Sequence, residues 1–257
     1  MEEWLTKAQR GDGKTVKRQK TIGEYTKSQN LFLELYGDID LSEINSSTAL
    51  GVIENLEKIG AANGTITKHL SGIRAPIIRA VELAWITEDA MKGVKVSTRG
   101  KALVKTKNWD VADFKRLFAQ DIPKQELMLF QLLSVTGFRL EEGAALEWTD
   151  IKISENGVYY FDLNALNKIL KTDNAMRNVP IHHQLKPLLD AYGEAVGRSG
   201  RLFNYSKGQD GKCVKAATKK LTPYLIAARN ENGMKVKHIK THGLRGTFTS
   251  ACYKVGM

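Results

Sequence analysis

One stretch of this chain reads convincingly as β structure, and it limits the fold more than any other feature. "DIKIS", an Asn156-Gly157 pair and "VYYFDL" make two extended runs about a turn signal. An Asn-Gly pair between such runs is a strong short-range hairpin signal, because both residues tolerate left-handed backbone. "KILKT", the polar turn "DNA" and "MRNVPI" supply further strands. The rest of the chain is mainly helical in spacing. The pattern predicts an α+β protein of mainly helical character with a small antiparallel sheet.

The first hundred residues predict an all-α unit. "TIGEYTKSQNLFLELYG" places Ile22, Tyr25, Phe32 and Leu35 on one stripe and stops at Gly37. "SSTALGVIENLEKIG" offers Ser46 or Ser47 as N-cap, an inner face of Leu50, Ile53 and Leu56, and an end at Gly60. "NGTITKHLSGIRAPIIRAVELAWI" continues helical, with Pro76 expected to kink or break it. "VSTRGKALVKTKN" is basic and weakly periodic, and reads as a linker over 96–108. The expected domains are therefore 1–95 and 109–257. In the second, Asp110 caps "DVADFKRLFAQ", "KQELMLFQLLSV" follows, and the sheet comes next. Helices resume at "QLKPLLDAYGEAV", "CVKAATKKLTPYLIAARN" and "HGLRGTFTSACYKV".

With 42% apolar and 26% charged residues, the 257-residue chain has the balance of a soluble globular protein. Its longest nearly apolar run, "LMLFQLLSV" from Leu127, is about half a membrane span, so no membrane partner is expected. The N-terminus has no apolar signal region, and Cys213 and Cys252 are too few for a disulfide framework; a cytoplasmic setting is expected. Charge is unevenly placed. Residues 1–105 carry net +3, 106–195 net −3, and the last 62 residues net +11 with only two acids. So long a basic run implies a polyanion partner, most often nucleic acid.

Within this frame Arg139 follows a Thr136-Gly137 turn and opens a helix, with Glu142 three residues on. Lys171 ends a strand before a tight turn, and His242 and Arg245 share one face of the last helix. Two arginines, a lysine and a histidine are what holding a phosphodiester requires. Guanidinium forks pair with phosphate oxygens, an ammonium can protonate a leaving oxygen, and an imidazole can shuttle a proton. Each has a plainer role open to it: an intrahelical ion pair, a surface hairpin lysine, a cap. Other motifs fail. "GDGKT" at Gly11 lacks the earlier P-loop glycine, which is Ala8. His238 and His242 have ligand spacing but no third partner, so no metal is expected.

In combination these residues resemble the tyrosine recombinase (phage-type integrase) family. "TGFRLEEGAALEWTDI" is similar to that family's first box, "LKTDNAMRNVPI" to its hairpin, with Lys171 in the Lys-Thr position and Arg177 on the return strand, and "HGLRGTF" to its second box. The resemblance implies a helical, SAM-like core-binding domain ahead of a catalytic domain. It implies that Arg139 and Arg245 clamp the scissile phosphate, with Glu142 in support, that Lys171 is general acid, and that His242 assists proton transfer. It also implies a C-shaped clamp on double-stranded DNA, other protomers forming a tetrameric synapse, no metal and no cofactor, and a bacterial or phage, nucleoid-associated setting. Lys14, Lys17, Arg18, Lys20, Lys105, Lys107, Lys219, Lys220 and Lys240 are the expected DNA-contacting cations.

The family's nucleophile is a tyrosine several turns beyond the second box, after a further His or Trp. The sequence read here reaches Met257 with neither. Tyr253, eight residues after Arg245, is poorly rotated for attack and is expected to be a packing residue. The expectation is a recombinase chain that binds DNA without cleaving it. The other possibility is a catalytically dead remnant that acts as a DNA-binding protein.

Overall fold

The structure is a computed structural model describing residues 19–96, 106, 108–164, 176–231, 234–235 and 240–256. Its contacts divide the chain into two compact units, Met1–Val104 and Lys105–Met257. Among the described residues no helix is long and apolar enough to cross a membrane.

The first unit is helical: α1 (Gln19–Tyr36), a 3-10 turn (Leu41–Glu43), α2 (Ser46–Lys58) and α3 (Asn63–Glu82). Ile22 and Phe32 of α1 are buried as the stripe predicts, and Tyr25 and Leu35 are partly so. α1 runs close against α3 where Gly72 meets Ser28; a Cβ at 72 would lie 2.6 Å from Ser28 Oγ.

Two local expectations are corrected in α2. Its N-cap is Asn45, one residue ahead of Ser46. The Asn45 side chain accepts from the Ser47 and Thr48 amides at 2.8 and 3.3 Å, and its own amide donates to Thr48 Oγ1 at 2.8 Å. The buried face is Ala49, Val52, Ile53 and Leu56, spaced i, i+3, i+4, i+7. Leu50 lies a sixth of a turn or more off that stripe and is exposed.

Pro76 does not break α3, which is continuous from Asn63 to Glu82. A mid-helix proline costs about 3 kcal/mol. Ile66, Leu70, Ile73 and Ile77, on both sides of it, are each buried, at about 1.5–3 kcal/mol apiece. Packing wins.

The second unit begins with α4 (Val111–Phe118), capped by Asp110, whose side chain accepts from the Asp113 amide at 2.9 Å. α5 (Lys124–Thr136) is its central element. Met128, Leu129, Phe130, Leu132 and Leu133 are all buried, so this helix is enclosed on nearly every side. After α6 (Leu140–Ala144) comes the sheet of β1 (Ile151–Ile153), β2 (Tyr159–Asp162) and β3 (Asn178–Pro180), antiparallel in chain order. Ile151 pairs with Phe161, and Asp162 with Asn178.

The β1–β2 turn falls at the Asn-Gly signal but takes a longer form than a two-residue loop. Gly157 N donates to Ser154 O and Ser154 N to Val158 O, both at 2.9 Å. Gly157 alone in the turn has a positive φ, +77°. This is a type I turn closed by a left-handed glycine. The expected strand "KILKT" lies outside the described residues. α7 (Leu185–Val196), α8 (Val214–Ala228) and α9 (Thr241–Lys254) follow. A two-stranded ribbon, β4 (Asn230–Glu231) with β5 (Met234–Lys235), sits between α8 and α9; its signal in the sequence is the Asn232-Gly233 pair that separates the two strands, a second Asn-Gly pair that the expectation above did not use.

Candidate phosphate-binding site

The site grows from the end of α5. Gly137 terminates that helix in the left-handed conformation, φ +63°. A side chain there would strike the ring of Phe248 on α9, so glycine serves both the backbone and the helix contact. Phe138 then enters the core and meets Phe161 of β2 edge-on at 5.4 Å between centroids. With its neighbour anchored, Arg139 is set at the mouth of α6.

Glu142 faces it one turn later. Its side chain is 6% exposed and serves as a hub. Arg139 Nη1 donates to Oε1 at 2.6 Å and the Arg139 amide to Oε2 at 2.9 Å. Arg177, just ahead of β3, donates Nη2 to the same Oε2 at 2.9 Å. Sheet register places Arg177: its carbonyl accepts from the Leu163 amide at 3.1 Å, and its guanidinium lies over the Phe138 ring at 5.7 Å. Burial alone would raise the Glu142 carboxyl. The bonds from Arg177 and from the Arg139 amide and guanidinium outweigh it, and the carboxyl titrates below its ordinary value.

Arg245 arrives from α9. Its Nη1 donates to Gly137 O at 2.6 Å. Partial burial and the like charge of Arg139 and Arg177 pull its pKa down, against the pull of Glu142. The three guanidiniums therefore share one electrostatic field. α9 is pinned to the start of the unit. Thr247 Oγ1 accepts from the Trp109 amide at 2.7 Å, and Trp109 Nε1 donates to Lys240 O at 3.1 Å. Asn108 Nδ2 donates to Ser250 Oγ at 3.0 Å, and its amide fills the space that a side chain at Gly246 would need.

Of the residues singled out in the sequence, Arg139, Glu142 and Arg245 are thus brought together. His242 lies one turn before Arg245 on α9, exposed. Lys20, Lys219, Lys220 and Lys240 are exposed, Lys20 in the first unit and the others in the second. Lys171, Lys14, Lys17, Arg18, Lys105 and Lys107 lie outside the described residues. Tyr253 is a correction: it is 78% exposed, and not a packing residue. Arg177 joins the cluster without having been singled out as a site residue; its signal was the Arg-x-Val-Pro of the return strand. Among the described residues no group of three His, Cys, Asp or Glu side chains could hold a metal ion.

A mainly helical unit with a three-stranded antiparallel sheet and an arginine pair gathered at one carboxylate has the fold of an integrase catalytic domain. The chain is similar to lambda integrase, solved as a dimer bound to a COC′ core site (TM-score 0.73, 15% identity, 100% of this chain and 87% of that one). It is also similar to lambda integrase in a tetramer bound to a Holliday junction (0.71, 15%, 100% and 70%). A third likeness is to the Tn1549 transposon integrase in complex with transposon right end DNA (0.76, 15%, 99% and 87%). At such identities the likeness is one of fold. No curated protein sequence matches the chain. Residues 111–257 match the phage integrase family, and the protein belongs to that family of tyrosine recombinases.

Proposed function

We propose that this chain is the DNA-handling body of a site-specific recombinase, with Arg139 and Arg245 holding the scissile phosphodiester of a DNA duplex. One observation carries the proposal: among the described residues the guanidiniums of Arg139 and Arg177 share one buried carboxylate and Arg245 lies within their field, so that positive charge is in excess there. A phosphodiester carries one negative charge. Attack by an ionised oxygen nucleophile adds a second at the pentacoordinate stage, so this excess suits the transition state better than the ground state.

In the reaction a tyrosine oxygen bonds to phosphorus while the bond to the 5′ oxygen breaks. Lys171 supplies the proton that the leaving oxygen takes up, and His242 assists removal of the phenolic proton. The bond energy stays in the 3′-phosphotyrosyl link, and rejoining is the reverse. Tyr253 is not assigned the nucleophilic role: eight residues of helix carry it about 12 Å along the axis from Arg245. The chain is expected to bind duplex DNA through Arg139 and Arg245. The strongly basic last 62 residues favour the same partner, and the tetramer seen for lambda integrase on a Holliday junction makes further protomers on DNA the expected assembly.

The test is duplex-DNA binding across a salt series. Log affinity should fall linearly with log salt, and Arg245→Ala should reduce the slope by about 1, as one lost phosphate contact requires. No binding at low salt would sink the proposal. An SDS-resistant adduct that disappears in Tyr253→Phe would overturn the assignment of Tyr253.

A further inference from the structure

We infer that Arg177 is a positioning residue for this chemistry, acting through Glu142 on Arg139; the inference rests on the phosphate-site reading above. Glu142 has two oxygens and, in this arrangement, two guanidiniums to satisfy. Arg177 shares Oε2 with the Arg139 amide, so the Arg139 guanidinium is engaged through Nη1 at Oε1 and its side chain stays 44% exposed. Arg177 itself is further in, at 29%, with its guanidinium over the Phe138 ring. Without Arg177, a carboxylate that is only 6% exposed would keep Arg139 as its one directly bonded side-chain cation among the described residues. A buried carboxylate short of partners draws its remaining cation closer, and Arg139 would then turn both ends of its fork toward Glu142 and away from a phosphate.

Arg177 also ties two parts of the chain that are distant in sequence. It stands at the start of β3, so the Arg177–Glu142 bond fastens the return strand of the β2–β3 connection to α6. That connection contains Lys171 in the sequence. One side chain thereby keeps the strand and the arginine in register.

The experiment follows the melting temperature of the whole 257-residue chain against inorganic phosphate, at ionic strength held constant with chloride. Phosphate should raise the wild-type midpoint. Arg177→Met should raise the apparent phosphate dissociation constant by about tenfold, the scale of one charge-assisted hydrogen bond. Arg177→Lys, which keeps the charge at Oε2, should recover most of it, a rescue that loss of packing alone would not give. The double variant Arg139→Met/Arg177→Met should bind phosphate no more weakly than Arg139→Met, because Arg177 acts through Arg139.

Should Arg177→Met not melt cooperatively, Arg177→Gln takes its place, since it can still donate to Glu142 without the charge. A variant matching wild type while Arg139→Met loses phosphate overturns the inference alone. So do losses that multiply in the double variant, which would make Arg177 a phosphate ligand in its own right. A wild-type protein indifferent to phosphate overturns the site reading and the inference together.

Discussion

Asp113 and Glu142 are both buried carboxylates paired with an arginine three residues away, and the two pairs are built to opposite ends. Asp113 is fully buried, 2.5 Å from Arg116. Arg116 is turned inward as well, its Nε donating to Ala228 O at 2.9 Å, so the pair closes α4 onto the end of α8. Glu142 instead gathers Arg139 and Arg177 with Arg245 close by, and its cations reach the surface. A balanced, enclosed pair holds structure together. A cluster with surplus charge at its rim is prepared for an anion. What separates the two is charge count and exposure, since the sequence spacing is the same.

The largest expected effect breaks the structural half of that contrast. Asp113→Ala removes one partner of an enclosed pair and should cost about 3–5 kcal/mol, read from urea unfolding midpoints. Its phosphate response, measured where the variant is still folded, should match wild type. A cost under about 1 kcal/mol would mean that Asp113 is not a keystone. Next comes Gly137→Ala, which meets a strained left-handed backbone and the Phe248 ring together. It should cost about 2–4 kcal/mol and weaken phosphate binding too, because the Gly137 carbonyl holds Arg245.

Glu142→Gln sharpens the other half. It should cost about 1–3 kcal/mol near neutral pH, and the cost should depend on pH. Burial opposes ionisation of Glu142, but its arginine bonds prevail and its folded carboxyl lies below the ordinary value. Such a group stabilises fully above its unfolded pKa, about 4.3, and loses that contribution as pH falls through the folded value. Wild type and Glu142→Gln should therefore converge in stability on acidification below about pH 4. Parallel curves from neutral to strongly acidic pH would refute the ionised hub.

How much of this was legible in the sequence follows from the range of the interactions. Arg139 with Glu142, and His242 with Arg245, are i, i+3 relations, fixed once a helix is recognised. The α+β class followed from one hairpin signal, and the stripe of α1 from its spacing. Arg177's place at Glu142 depends on the Asp162–Asn178 register, across a connection that the sequence pattern does not measure. The α2 cap slipped by one residue because Asn45, Ser46 and Ser47 are all capable caps, and tertiary burial of Ala49 and Val52 decided among them. The break expected as one outcome at Pro76 did not occur, because the four isoleucine and leucine side chains buried around it outweigh the propensity. Tyr253 was expected to pack, yet α9 turns its buried side toward Gly243 and Leu244 at the other end.

The smallest expected effect is a control on exposure itself. Asp190 also holds two cations, Lys186 at 2.6 Å and Arg198 at 3.0 Å, and so matches Glu142 in stoichiometry. The Lys186 hydrogen bond is the main cause holding its carboxyl below the ordinary value. Its side chain, however, is 35% exposed, and water and salt screen the pair. After that discount Asp190→Asn should cost no more than about 0.5 kcal/mol. The sign is the same as for Glu142: the contribution is present above the unfolded carboxylate value and fades as pH falls. Unlike that of Glu142, it should also fade in 1 M salt, where the Debye length is about 3 Å. If Asp190→Asn proved as costly as Glu142→Gln, and as insensitive to salt, then stoichiometry and not burial would set the strength of these hubs, and the contrast between the enclosed pair and the open cluster would have to be rebuilt on charge count alone.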